Sequence, residues 1–193
     1  MQLPFPPSKD QAKGSAFHDG TCVSAAELIG IFYDDPSALG LFDRVERMRV
    51  PAHFRQLLDH TNHMTVTVEA YHGDSVDVEV LRSDILGEHY RREILLRAHL
   101  LQKVVQYGIV RLNTKYLSEE PRNEILKQQK PLGRVLIEHN VLREIELFDL
   151  LRVECGPILA RMFGVSVGTV TYGRTALIYC DRDPAIELLE VVI

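Results

Sequence analysis

Val76-Asp77-Val78-Glu79-Val80 alternates branched apolar residues with carboxylates, and His89-Tyr90-Arg91-Arg92-Glu93-Ile94-Leu95-Leu96-Arg97 follows as a second β-rich run. Side chains two apart lie on one face of a strand, so such a run has one face to bury and one to leave wet. Further β-rich runs follow at about 101–112, 142–154, 165–179 and 185–193, with an Asp181-Arg182-Asp183-Pro184 turn between the last two. Strands outnumber crossover helices. The pattern therefore predicts an α+β fold with an antiparallel β-sheet rather than a doubly wound one.

Upstream of Val76, Met64 to Ala70 fits either a strand or a helix end, because Val66, Val68 and Ala70 alternate with Thr65, Thr67 and Glu69 before the His72-Gly73-Asp74 turn. Pro51 opens a helical pattern in which Phe54, Leu57 and Leu58 share a stripe. Asp35-Pro36 supplies a cap and a first-turn proline, predicting a helix over residues 37–48 with Leu41, Phe42 and Val45 inward. Ser24-Ala25-Ala26-Glu27 has capping-box spacing for a short helix. Pro121 and Pro131 open two more helices, to about Gln129 and His139. Residues 1–20, rich in Pro, Lys, Asp, Gly and Ser, predict a flexible N-terminal arm, and 21–193 a single domain.

The 193 residues carry 22 Lys+Arg against 27 Asp+Glu, a formal charge of −5. That mild acidity argues against a nucleic-acid or membrane-surface partner, both of which call for a basic stripe. Three widely spaced cysteines predict reduced thiols, and neither a secretory signal nor a membrane span is recognisable, so the expected localisation is cytoplasmic. His60 and His63 could share a helix face, but no His-Glu-x-x-His run or third ligand accompanies them, so no metal is expected. Gly164-Val165-Ser166-Val167-Gly168 lacks the lysine and the glycine spacing of a phosphate loop, and no serine or cysteine sits in a nucleophile context. No cofactor is expected.

Three segments together, Tyr90-Arg91-Arg92-Glu93-Ile94-Leu95-Leu96, Lys130-Pro131-Leu132-Gly133-Arg134-Val135-Leu136, and a Gly173-Arg174 strand followed by a terminal run through Glu190, resemble bacterial chorismate lyase in order and rough spacing. Leu57-Leu58, then Met64-Thr65 with Glu69 and the Gly73 turn, is similar to that family's substrate flap, so the likeness spans about 57–193. It implies helices clustered as flaps over a buried ligand cavity, and a cofactor-independent lyase that eliminates pyruvate from chorismate to give 4-hydroxybenzoate. It also assigns roles. Arg92 would bind the aromatic carboxylate and Glu190 would lie at the hydroxyl, both as catalytic residues. Met64 would close over the ring, Leu132 and Gly133 would offer an apolar wall and backbone N–H groups, and Arg134 would take the second carboxylate.

The residues themselves bear on two of these roles. Arg92 shares its strand face with Tyr90, Ile94 and Leu96, where a guanidinium is costly unless paired, whether to a ligand, to an internal glutamate or by snorkelling at a sheet edge. In the terminal run, either Glu190 or Glu187 faces the site, depending on register. Two segments depart from the family: 97–108 lacks its hairpin signature, and 155–165 reads as an addition. Two rival functions remain. One is a non-catalytic aromatic-acid sensor of the same fold, as in some winged-helix repressors; the other is a lyase or hydrolase for a related cyclohexadiene acid.

Overall fold

In the computed structural model, which describes residues 22–193, the alternating run at Val76 forms β2 (Val76–Leu86) and pairs antiparallel with β3 (His89–Ala98). The expected N-terminal arm lies outside the described residues. Five more strands complete one sheet: β1 (Gly40–Arg44), β4 (Val104–Asn113), β5 (Arg143–Cys155), β6 (Val170–Cys180) and β7 (Asp183–Val192). Their order is β1-β5-β6-β7-β4-β3-β2, and every pairing is antiparallel. This is the expected α+β architecture. β3 and β4 are a hairpin, although their connection lacks the family's glycine signature; Gln102 takes the left-handed conformation there at φ 54°.

Helices cover both faces. α2 (Ala52–Leu58), α3 (Met64–His72), α4 (Glu119–Leu126) and α5 (Leu132–Glu138) pack on one another, with α2 on β6 and α3 on β2. α1 (Ala25–Gly30) and α6 (Pro157–Phe163) pack instead with Tyr107, Ile109, Leu189 and Val191, which point the other way from their strands. The ambiguous Met64 segment is thus a helix, ended by Gly73 in the left-handed conformation that a Cβ disfavours. The added segment at 155–165 is α6. Ser24 caps α1 as its sequence predicts, accepting from the Glu27 N–H at 3.4 Å.

The helix expected over 37–48 does not form. Asp35 does cap, and Pro36 does open a turn, but the helix is a single 3-10 turn, Pro36–Ala38. The chain then enters β1, which pairs with the outer side of β5 from Gly40↔Cys155 to Arg44↔Leu151. Gly40 explains the switch: its φ is +153°, and a Cβ there would meet the Glu154 carbonyl oxygen at 2.4 Å. Long-range pairing overrides a local helical pattern. Among the described residues, no helix is long and apolar enough to cross a membrane, and no cluster of His, Cys, Asp or Glu could hold a metal ion.

Candidate functional site

Register builds the site. One cross-strand row runs Ile94 on β3, Gly108 on β4, Glu190 on β7 and Arg174 on β6. The row on one side carries Arg92, Val110 and Leu188, and the row on the other carries Leu96, Gln106 and Val192. Because strand residues two apart share a face, these three rows form one floor. Gly108 is its low point: a Cβ would lie 3.3 Å from Ile94 Cγ1. The start of α3 (Met64, Thr65), with His63 before it, and the start of α5 (Leu132, Gly133) roof this floor. Gly133 allows the two helices to approach, since a Cβ there would meet Thr65 Oγ1 at 3.0 Å. The cavity measures about 40 Å³, more than the roughly 10–15 Å³ that one water needs.

Arg92 is fully buried, and its Nε and Nη1 have no hydrogen-bond partner among the described residues. Burial lowers its pKa, opposed by the Tyr90 hydroxyl close beside it. Among the described residues no internal glutamate pairs with it, and its full burial rules out snorkelling. A guanidinium desolvated in this way is a pre-formed receptor for a planar anion, because its fork matches a carboxylate with two parallel N–H···O bonds.

Glu190, not Glu187, faces the cavity. Glu187 points to the opposite side of the sheet and pairs with Arg111. Both oxygens of Glu190 are engaged: Arg174 Nε donates to Oε2 at 2.7 Å, and Gln106 Nε2 donates to Oε1 at 3.3 Å. Arg174, itself buried, also donates through Nη1 to the carbonyls of His60 at 2.8 Å and Leu58 at 3.2 Å. It thereby ties the segment after α2 to the sheet. His63 is a neutral acceptor, since Arg143 Nε donates to its Nε2; burial first, then Arg143 and Arg174, push its pKa down to about 4. Beyond His63 lies an open pocket of about 530 Å³, bordered by Asn62, Asn140 and Arg143.

Of the residues singled out in the sequence, Met64, Arg92, Leu132, Gly133 and Glu190 line one cavity. Arg134 does not. It lies one residue beyond Gly133, about 100° further round α5, and pairs outside with Glu69 at 2.5 Å. Its expected role on a second carboxylate is corrected accordingly. Sequence reading misses the roles of Gln106, Arg174 and His63. For Gln106 a signal exists: it is the lone amide among the apolar and aromatic residues of Val104-Val105-Gln106-Tyr107-Gly108-Ile109-Val110 and shares its period with Gly108.

The sequence matches no family model and no curated protein. Solved structures do match. The effector domain of PhnF from Mycobacterium smegmatis aligns with a TM-score of 0.50 at 12% identity, over 68% of this chain and 88% of that one. A gene product of Staphylococcus aureus subsp. aureus N315 also aligns at 0.50, with 11% identity over 70% and 90%. The C-terminal domain of the histidine utilization repressor from Pseudomonas syringae pv. tomato aligns at 0.42, with 9% identity over 61% and 90%. This chain spans 57% of YydK from Bacillus subtilis and 64% of whole PhnF. The shared architecture is the chorismate lyase-like fold. The expectation of a chorismate-splitting enzyme is corrected by the match to PhnF, which is to an effector domain rather than a lyase. The site agrees with the correction: chorismate would bring two carboxylates to a cavity with one uncommitted cation, and Glu190 is held in an ion pair.

Proposed function

We propose that residues 21–193 act as a single, non-catalytic ligand-binding domain whose effector is a small aromatic carboxylic acid. The observation that carries this reading is Arg92, fully buried with Nε and Nη1 uncommitted at the cavity. The carboxylate would sit on that fork, and the ring would lie over Gly108 between Ile94 and the roof residues Met64 and Leu132. Charge supports a monoanion. Arg174 is already neutralised by Glu190, so a single carboxylate on Arg92 leaves the cavity without net charge. Leu132 and Gly133 contribute wall and close approach, and Met64 the lid. The effector-domain likeness to PhnF supports the same reading, and with it the expectation of no nucleic-acid partner is set aside.

The test is calorimetry and thermal melting of the purified chain with benzoate and 4-hydroxybenzoate, with Arg92→Met alongside. Binding to the folded state alone stabilises by about 2.7 kcal/mol at a hundredfold excess over Kd, so a bound acid raises Tm by several degrees. Arg92→Met should abolish that rise while the domain stays folded. Full affinity in the variant would remove the anchor role and the proposal with it. Chorismate incubated with the protein should be recovered without pyruvate.

A further inference from the structure

Gln106 is almost fully buried and lines the cavity, yet its Oε1 has no donor among the described residues. Its orientation follows from its neighbours. Arg174 on Oε2 holds Glu190 as the anion of an ion pair, and a carboxylate only accepts. The Gln106 amide must therefore turn its Nε2 toward Glu190 Oε1, the observed 3.3 Å contact, which leaves Oε1 as an acceptor. A buried acceptor without a donor costs binding or folding free energy until something supplies one.

We infer that Gln106 is the specificity-determining residue of this site: it accepts a hydrogen bond from a hydroxyl or amino group on the effector, at the end of the ring opposite the carboxylate. The inference rests on the aromatic-acid reading and deepens it. Glu190 cannot take this part as directly, because both its oxygens already accept from Arg174 and Gln106. Position sets the substitution pattern. Arg92 pairs with Val110 and Gln106 lies four residues earlier on the same face of β4, so the two rows are about 13 Å apart with the Gly108 floor between them. Both side chains line the cavity that Gly108 floors. A ring held by its carboxylate on Arg92 and lying along the strands over Gly108 would present its far end to Gln106, which is a para relationship.

The experiment compares 4-hydroxybenzoate with 4-fluorobenzoate, close in size but lacking the donor, and with 3-hydroxybenzoate, by calorimetry on the wild-type chain and on Gln106→Leu and Gln106→Met. The wild type should prefer the 4-hydroxy acid over the 4-fluoro acid by roughly tenfold or more, the range expected when a buried acceptor is left unpaired. The 3-hydroxy acid should fall near the fluoro compound. In either variant the preference should collapse toward unity, with 4-fluorobenzoate bound as well as or better than before. Two apolar replacements of similar volume guard against one that misfolds. Equal wild-type affinity for all three acids overturns the inference and leaves the aromatic-acid reading standing. A preference that persists in both variants also overturns it and moves the acceptor to another residue. No binding of any acid by the wild type sinks both readings together.

Discussion

Arg92 and Glu93 are consecutive on β3, both buried and opposite in charge, and they face opposite sides of the sheet. Glu93 is fully partnered. Its Oε1 accepts from Tyr107 at 2.7 Å and from Tyr33, and its Oε2 from Arg82 Nε at 2.7 Å. The Arg82 guanidinium lies over the rings of Phe32 and Tyr33 and donates to the Phe32 carbonyl at 2.9 Å, fastening the segment after α1 onto the sheet. Burial and the Glu93 carboxylate push the Tyr33 hydroxyl up to about 12, so it stays a donor across the ordinary pH range. Arg92, one residue earlier, has nothing equivalent. A buried charge with its partners in place is architecture; a buried charge without them has its partner still to come.

The largest expected effect breaks the satisfied side. Glu93→Ala strands the buried Tyr107 hydroxyl and removes the Arg82 ion pair, and should cost about 3 kcal/mol in urea unfolding. Effector affinity should barely change, because that face does not touch the cavity. A Glu93→Ala protein as stable as wild type would end the claim that this network is structural. Glu190→Gln comes next. It removes the anion from a fully buried Arg174 but keeps an acceptor, so about 2 kcal/mol of stability should go. The segment after α2, which Arg174 holds through the His60 and Leu58 carbonyls, should loosen in hydrogen exchange. Unchanged protection there would show that Arg174 does not fasten that segment.

The sign should reverse at Arg92. Replacing a buried cation that has no counter-ion with an apolar side chain is expected to stabilise the empty domain, by about 1 kcal/mol. Arg92→Met should therefore melt higher than wild type without ligand and lower than wild type with a saturating acid. Two variants one residue apart would then move stability in opposite directions. A loss of stability in ligand-free Arg92→Met would show that Arg92 is already satisfied in the empty protein, and the contrast between the two faces would collapse.

That contrast is half legible in the sequence. Arg92 stands out as a cation in an apolar strand, and period-two spacing puts it with Ile94 whatever the tertiary fold. Glu93 is equally conspicuous, but its partners Tyr33, Arg82 and Tyr107 come from three separate segments that no local pattern connects. Gln106 is conspicuous in its apolar strand, but its role and that of Arg174 are hidden for the same reason: they matter through the pairings Gly108↔Glu190 and Arg174↔Glu190, which belong to sheet order rather than to chain order. Local pattern misleads in two places. Leu41, Phe42 and Val45 space like a helix stripe while Gly40 and β5 draw Leu41 and Phe42 into an edge strand. Arg134 sits in the right heptapeptide, and the pitch of α5 turns it toward Glu69.

The smallest expected effect separates the two faces by pH. His63 on the cavity side is neutral with its pKa near 4, mainly through burial and then through Arg143 and Arg174, against about 6.5 for an ordinary histidine. Between those values the unfolded chain binds a proton that the folded chain refuses, so stability rises with pH there and is lost as pH falls from 6.5 toward 4. Burial and Arg174 lower His60 as well, and burial lowers His72, so both contribute with the same sign, opposed by His99, which Asp77 raises. On the opposite face Glu93 is surrounded by Tyr33, Tyr107 and Arg82, none of which titrates in that window. Tm should therefore drop from pH 7 to pH 5, above the range in which the depressed carboxyls of Asp35 and Glu124 take up protons. His63→Gln, which keeps an acceptor for Arg143 but cannot charge, should flatten part of that slope, and Glu93→Ala should lower Tm without changing it. The same slope in His63→Gln as in wild type would mean that the proton is taken up elsewhere and that the roof over the cavity carries no acid sensitivity of its own.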